Sequence, residues 1–433
     1  MAVLFASGNH HHHNEQCKQQ SLIFISYLTP LSMNTFRIYF TLISICSFNV
    51  ISLVNIHSQT SQSLKKIQII TSNNKQINDH FYYLPLPSSL NKPEFQNIKQ
   101  FVQKEYGENA LAEPLNFFRI MDWVSSRWVH DGSISSSTMN TLEILKAAKS
   151  GRNFSCIEYA KVMSDILTAL GYISRVVGIT TNDIAYGSIG EGHAVSEVWS
   201  NTLQKWIFID PQFSIHAKYK GQFLNFYEMY ELKKKGKYYD IEFEVSESYC
   251  RVNKRNKKDI IKEYKEFLSR YFSYMMIDII KDGKSILLIY GLDGKNQFLT
   301  SQGGNGKTSI FTDDIDDMYF ELNQTTILFD FNVPTLDCST IVQKYNVKNR
   351  QDYFSKMSEF ASVPDFTLSF ATNTPWFSSY EVKHDEKSDW RTIQSSNNYQ
   401  WKLHEGMNEI HVRSVNQSGI YGVITKMQIQ YQE

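Results

Sequence analysis

Three side chains in the middle of the chain, Cys156, His193 and Asp210, together can do acyl-transfer chemistry. A thiolate attacks an amide carbonyl, an imidazole takes and returns the proton, and a carboxylate holds that imidazole in one tautomer. The local settings suit these roles. Asn153 or Ser155 can cap a helix that begins at Cys156. Along it Tyr159, Ala160, Met163, Ile166, Leu167 and Leu170 recur at helical spacing until Gly171 stops it. In such a first turn, unpaired amides and the helix dipole favour a thiolate. With a cation nearby, the pKa falls from about 8.5 towards roughly 4 to 7. The same position also suits a small buried hydrophobe, so Cys156 alone decides nothing.

His193 opens the strand-like run His193-Ala-Val-Ser-Glu-Val-Trp199, and Asp210 closes the run Trp206-Ile-Phe-Ile-Asp210 before Pro211. A two-residue turn at Asn201 and Thr202 would set Glu197 opposite Trp206, Val195 opposite Phe208 and His193 opposite Asp210. A register shifted by two keeps imidazole and carboxylate on one face as diagonal neighbours. Singly, His193 suits a packed or surface histidine and Asp210 a turn. Jointly with Cys156 they supply nucleophile, base and orienter.

The elements that must position them sit in a chain of 433 residues, long enough for two or three cores. Lys plus Arg and Asp plus Glu each total 44, so charge gives no argument for a nucleic-acid partner. Hydrophobic residues are 42% and aromatic residues 14%, which favours packed cores over disorder. Cys17, Cys46, Cys156, Cys250 and Cys338 show no metal-ligand spacing, and the run His10 to His13 lies in a polar segment. No metal or other cofactor is expected.

Met33 begins a second plausible start. Arg37, the apolar run Ile38 to Val54 and the polar residues 57 to 63 have the layout of a secretory signal peptide. Cleavage is expected near residue 58, which makes the protein secreted or periplasmic and limits membrane contact to that segment. Phe36 to Ile56 is also long enough for an uncleaved anchor, although Thr41, Ser44, Ser47, Asn49 and Ser52 interrupt it.

Residues 59–110 read as a lead-in, with strand-like stretches at Ile67 to Ile70 and Phe81 to Leu84 and a helix after Pro93. Residues 111–240 carry the helices and strands around Cys156. In 241–360, a mixed α/β extension, a helix is expected from Ile260 to Met276, with Ile261, Tyr264, Phe267, Leu268 and Tyr271 as its apolar stripe. Gly303 to Thr308 lacks the first glycine of a phosphate loop and reads as a hairpin loop. Asp313, Asp314, Asp316 and Asp317 lack the EF-hand ligand order and read as a solvated loop. From residue 361, short β-rich runs between turns predict a sandwich, with Ile410 and Val412 inward and Glu409, His411 and Arg413 outward.

Taken together, Gly151-Arg-Asn-Phe-Ser-Cys-Ile-Glu-Tyr-Ala160, Gly192-His-Ala-Val-Ser-Glu-Val-Trp199 and Trp206-Ile-Phe-Ile-Asp-Pro211 resemble the transglutaminase-like core superfamily, relatives of papain-type cysteine peptidases. The gaps of 37 residues from Cys156 to His193 and 17 from His193 to Asp210 are similar to those of that family. The sequence departs from it at Val195, where many members carry an aromatic residue, and at residues 152–155, where a glycine commonly precedes the cysteine. The resemblance implies an α+β, papain-like core and a Cys156, His193, Asp210 triad. The implied activity is acyl transfer on a protein or peptide substrate, as a peptidase or amidase, with glutamine transferase and non-catalytic scaffold as alternatives. Trp128 lies upstream as either a core residue or an oxyanion donor. The hairpin from Gly406 to Gly419 resembles that of immunoglobulin-like or fibronectin-like modules. The sequence carries no signal for oligomeric state.

Overall fold

The computed structural model describes residues 66–78, 84–107, 112–133, 138–186, 192–295, 307–330, 338–356, 364–393 and 398–432. By internal contacts the chain divides into residues 1–61 and 62–433, and every described residue belongs to the second unit. The signal-like segment, the histidine run, Cys17, Cys46, residues 81–83, the loop 187–191 and the glycines of 303–306 lie outside the described residues.

Four helices form one layer: α1 (Pro93–Tyr106), α2 (Leu115–Ser125), α3 (Thr141–Lys149) and α4 (Cys156–Ala169). Each starts for a local reason. Pro93 stands at the opening of α1, where its missing N–H costs nothing. At α3, Asn140 Oδ1 accepts from Glu143 N at 3.0 Å while Glu143 Oε2 accepts from Asn140 N at 2.8 Å. At α4, the Glu158 carboxylate accepts from the amide and hydroxyl of Ser155 at 3.0 and 2.6 Å. Burial then selects the faces. Ile98, Phe117, Ile120, Ile144, Met163, Ile166 and Leu167 meet in one core that also takes Val198, Ile207 and Ile209 from the adjacent sheet.

That sheet has nine strands, antiparallel except for the pairing of its last two. Its strands are β2 (Ser174–Thr180), β3 (Gly192–Ser200), β4 (Lys205–Asp210), β5 (Ile215–Tyr219), β6 (Gln222–Phe223), β7 (Glu242–Val245), β8 (Tyr274–Lys281), β9 (Lys284–Gly291) and β10 (Ser309–Thr312). They run β10-β9-β8-β2-β3-β4-β5-β6, with β7 beside β5 and β9 parallel to β10. α4 packs on one face. Val195 and Phe208 point to the other, where α5 (Phe226–Lys234), α6 (Glu247–Val252) and α7 (Lys257–Ser269) bury a second core. Both faces are therefore covered, which is why β3 is buried at every position after Gly192.

Trp199 lies opposite Trp206 and Glu197 opposite Phe208, so the hairpin closes over four residues, 201–204, and its register is shifted by two. Gln204 supplies the left-handed conformation (φ 51°) that the longer loop needs. The helix expected to reach Met276 ends at Ser269, and β8 begins at Tyr274. An apolar run such as Tyr271 to Met276 fits either period, and the free edges of β2 and β9 decide for a strand.

The remaining strands make two antiparallel sheets. One is β1-β17-β16-β13-β14, built from β1 (Lys66–Ser72), β13 (Phe377–Lys383), β14 (Arg391–Ile393), β16 (Gly406–Asn416) and β17 (Thr425–Gln432). The other is β11 (Thr325–Phe329), β12 (Asp365–Thr372) and β15 (Tyr399–Lys402). Ile327, Leu368 and Trp401 of the second meet Tyr380, Ile410, Val412 and Ile429 of the first in one core, a two-layer sandwich. β1, expected in a lead-in, is an edge strand of this sandwich, with Lys66 opposite Gln432. His411, expected outward, is 2% exposed and bonds Glu409 at 2.6 Å. The sandwich touches the helical layer at Gly171 (φ 94°), where an added Cβ would lie 2.4 Å from Ser418 and Asn416 Nδ2 donates to the Gly171 carbonyl at 2.8 Å. The acidic loop pairs Asp313 with Lys295 at 3.1 Å and Asp317 with Thr312 at 2.6 Å.

Candidate active site

Cys156 is the first residue of α4 and is partly exposed. His193 is the second residue of β3, and Asp210 is the last of β4. The structure brings all three together. His193 Nε2 lies 2.8 Å from Asp210 Oδ2, both buried, which leaves Nδ1 for the thiol. His193 and Cys156 each shift the other's titration. The two-residue shift in register leaves the imidazole and carboxylate on the same face, since side chains alternate with period two.

Asp210 has three donors. Tyr264 Oη donates to Oδ2 at 2.9 Å and the Gln212 amide donates to Oδ1 at 3.1 Å, in addition to His193. Three donors on one buried carboxylate keep it from rotating freely. Burial, then the charge of Asp210, pushes the Tyr264 hydroxyl well above its ordinary range, so it remains a donor. α7 and the residues just after it also cover the imidazole: Phe267 stands edge-on to His193 at 5.1 Å and Tyr271 at 6.0 Å, with Phe213 at 6.0 Å from between β4 and β5.

Burial works against charge on both members of the pair, and local interactions override it. Burial raises the Cys156 thiol, but hydrogen bonds from His130 and His193, the imidazolium charge and the Ala194 amide bring it down to about 6. Burial lowers His193, but the charge and hydrogen bond of Asp210, with Cys156, bring it up to about 9. Between those values the pair is thiolate and imidazolium.

His130 was not singled out in the sequence. It reaches the thiol because its backbone bridges Phe154 in parallel, and the amides of Val129 and Asp131 bond Asn153 Oδ1 at 3.3 Å and Phe154 O at 2.9 Å. No local motif signals this pairing. Trp128, 7% exposed, packs at 4.3 Å on Tyr159, whose hydroxyl donates to the Trp128 carbonyl at 2.5 Å. Its indole Nε1 is buried and makes no hydrogen bond. A groove of about 560 Å³ runs past these residues, lined among others by His130, Asn153, Tyr159 and Phe213.

The sequence pattern of the transglutaminase-like superfamily matches residues 100–211, which include Cys156, His193 and Asp210. This segment is a transglutaminase-like domain. Among solved structures, the chain is similar to red sea bream transglutaminase at 8% identity and a TM-score of 0.20, over 79% of this chain and 71% of that one. No curated protein matches the chain. The transglutaminase-like domain ends one residue after Asp210, so Gln212, Phe213, Tyr264, Phe267 and Tyr271 come from beyond it. Of these, the sequence showed Tyr264, Phe267 and Tyr271 only as an apolar helical stripe.

Proposed function

We propose that the protein is an exported cysteine-dependent acyl-transfer enzyme, a peptidase or amidase, acting through Cys156, His193 and Asp210. The observation that carries this reading is an imidazole held at 2.8 Å by a buried carboxylate and acting on a thiol at the start of α4, which it lowers. That is the resting state of a nucleophile needing no further activation.

In this reading the Cys156 thiolate attacks the amide carbonyl. The backbone amide of Cys156, in the first turn of α4, receives the developing oxyanion, and the unpaired Trp128 indole N–H is the second donor. His193 gives its proton to the departing amine or ammonia, leaving a thioester. Neutral His193 then takes a proton from water as water attacks the thioester, and the returning thiolate restores the ion pair. Asp210 holds the tautomer and stabilises the imidazolium throughout. Transfer to an amine uses the same thioester and differs only in the acceptor.

The C-terminal sandwich is read as an immunoglobulin-like or fibronectin-like module for interaction or spacing. Export rests on the layout of residues 33–63. N-terminal sequencing of protein from the native host tests it, and a cytoplasmic chain starting at residue 1 would sink it. The activity is tested on peptide amides with and without a primary amine, following ammonia release and adduct mass at Cys156. Cys156→Ala and His193→Ala should abolish thioester formation. Asp210→Asn should lose roughly 10² to 10⁴ in turnover while remaining folded, through the wrong imidazole tautomer. Full activity of Cys156→Ala would end the reading.

A further inference from the structure

The groove beside Cys156 has a one-sided charge. Among the described residues its lining holds Arg127 and Arg152 together with His130, and no aspartate or glutamate. Both arginines are held in place by contacts that leave their charge uncancelled. Arg127 donates from Nε to the Trp123 carbonyl at 3.0 Å and from Nη2 to Ser126 Oγ at 2.8 Å, with its guanidinium 4.6 Å from the Trp123 ring. Arg152 donates to Met139 Sδ at 3.5 Å and lies 5.1 Å from the Phe154 ring.

Among the described residues neither makes an ion pair. Arg175, Arg255 and Arg413, by contrast, each hold a carboxylate. The acid whose charge reaches Arg127 is Glu105, and Lys149 already holds it at 3.2 Å. On the same wall the buried Gln212 Oε1 accepts no hydrogen bond, an opening for a peptide N–H. Two guanidiniums and an acceptor for a backbone amide along one groove, whose lining also holds His130, which acts on the Cys156 thiol, fit a peptide that carries negative charge.

We infer that the acyl donor of Cys156 is an anionic peptide, with a carboxylate a few atoms from the scissile amide held by Arg127 and Arg152. This rests on the reading of Cys156 as the nucleophile, and the test separates the two. Cys156 is alkylated in the full chain with iodoacetate and with iodoacetamide, located by mass spectrometry, in wild type, Arg152→Gln and Arg127→Gln/Arg152→Gln. Matched peptide amides with Glu, Gln or Lys beside the scissile bond are then compared.

The rate ratio of iodoacetate to iodoacetamide should fall about threefold or more in the double variant, and partway in Arg152→Gln. In wild type, kcat/KM should favour Glu over Gln by about fivefold and over Lys by more, a preference the double variant loses. Arg152 is exposed, so the single variant keeps the comparison valid if the double variant folds poorly. An unchanged ratio, or equal turnover of the Glu and Lys peptides, overturns the inference while Cys156 stays reactive. Failure of both reagents to modify Cys156 in wild type overturns the nucleophile reading itself, and the inference with it.

Discussion

Tyr264 donates its hydroxyl to the same Asp210 oxygen that binds His193: the two donors lie 2.9 and 2.8 Å from Oδ2. A helix outside the transglutaminase-like domain therefore helps set the strength and direction of a hydrogen bond inside it. Tyr264→Phe removes the donor without changing the shape of the core. Turnover should fall roughly tenfold, the worth of a hydrogen bond to a buried charge. The basic limb of the pH profile should move upward, because a carboxylate relieved of one donor attracts the imidazolium proton more strongly. A variant that loses only folded protein, with the limb unmoved, would reduce Tyr264 to core packing.

The pH dependence follows from the two shifted groups. The Cys156 thiol sits near 6, so alkylation should rise as pH passes through about 6 and the thiolate forms. His193 sits near 9, so on the proposed mechanism the proton for the leaving amine is lost above about 9. Turnover should trace a bell with limbs at those values. A single limb at the ordinary thiol value, measured by stopped-flow alkylation, would mean the ion pair does not form.

Cys250 provides an internal control. It is buried, and burial pushes its thiol up from the ordinary value, whereas Cys156 is partly exposed and lowered. Limiting iodoacetamide at pH 7 should give an adduct at Cys156 before Cys250, and Cys250→Ser should retain activity. Inactivation by Cys250→Ser with an active Cys156→Ser would reverse the assignment.

Glu197 lies in the same strand as His193 but serves the fold. It is fully buried and bonds Arg175 at 2.7 Å, the Phe226 amide at 2.9 Å and the Tyr319 hydroxyl at 2.8 Å. Arg175 is 5% exposed and lies 4.1 Å from the Trp206 ring. Glu197→Ala leaves a buried guanidinium without its partner and should cost about 3–5 kcal/mol in urea unfolding. Arg175→Met/Glu197→Leu should cost less than the single change. Equal losses would show that the pair carries no special burden.

The sequence alone determined the parts of this protein whose causes are local. The helix from Cys156 could be read because capping residues and a 3.6-residue apolar period act over a few neighbours. His193 and Asp210 could be placed on one face despite a misjudged loop, because strand parity survives a shift of two residues. What only the tertiary structure decided depends on contacts between distant segments. β1 joins a strand more than 350 residues away, and its own pattern says nothing about that partner. Tyr264 looked like any apolar stripe residue, since a phenol serves equally as core and as donor until its neighbour is known. His130 meets the thiol through a backbone bridge to Phe154, and hydrogen bonds of that kind use groups every residue carries. The shifts that turn Cys156 and His193 into an ion pair arise the same way, from burial and partners that exist only once the chain has folded.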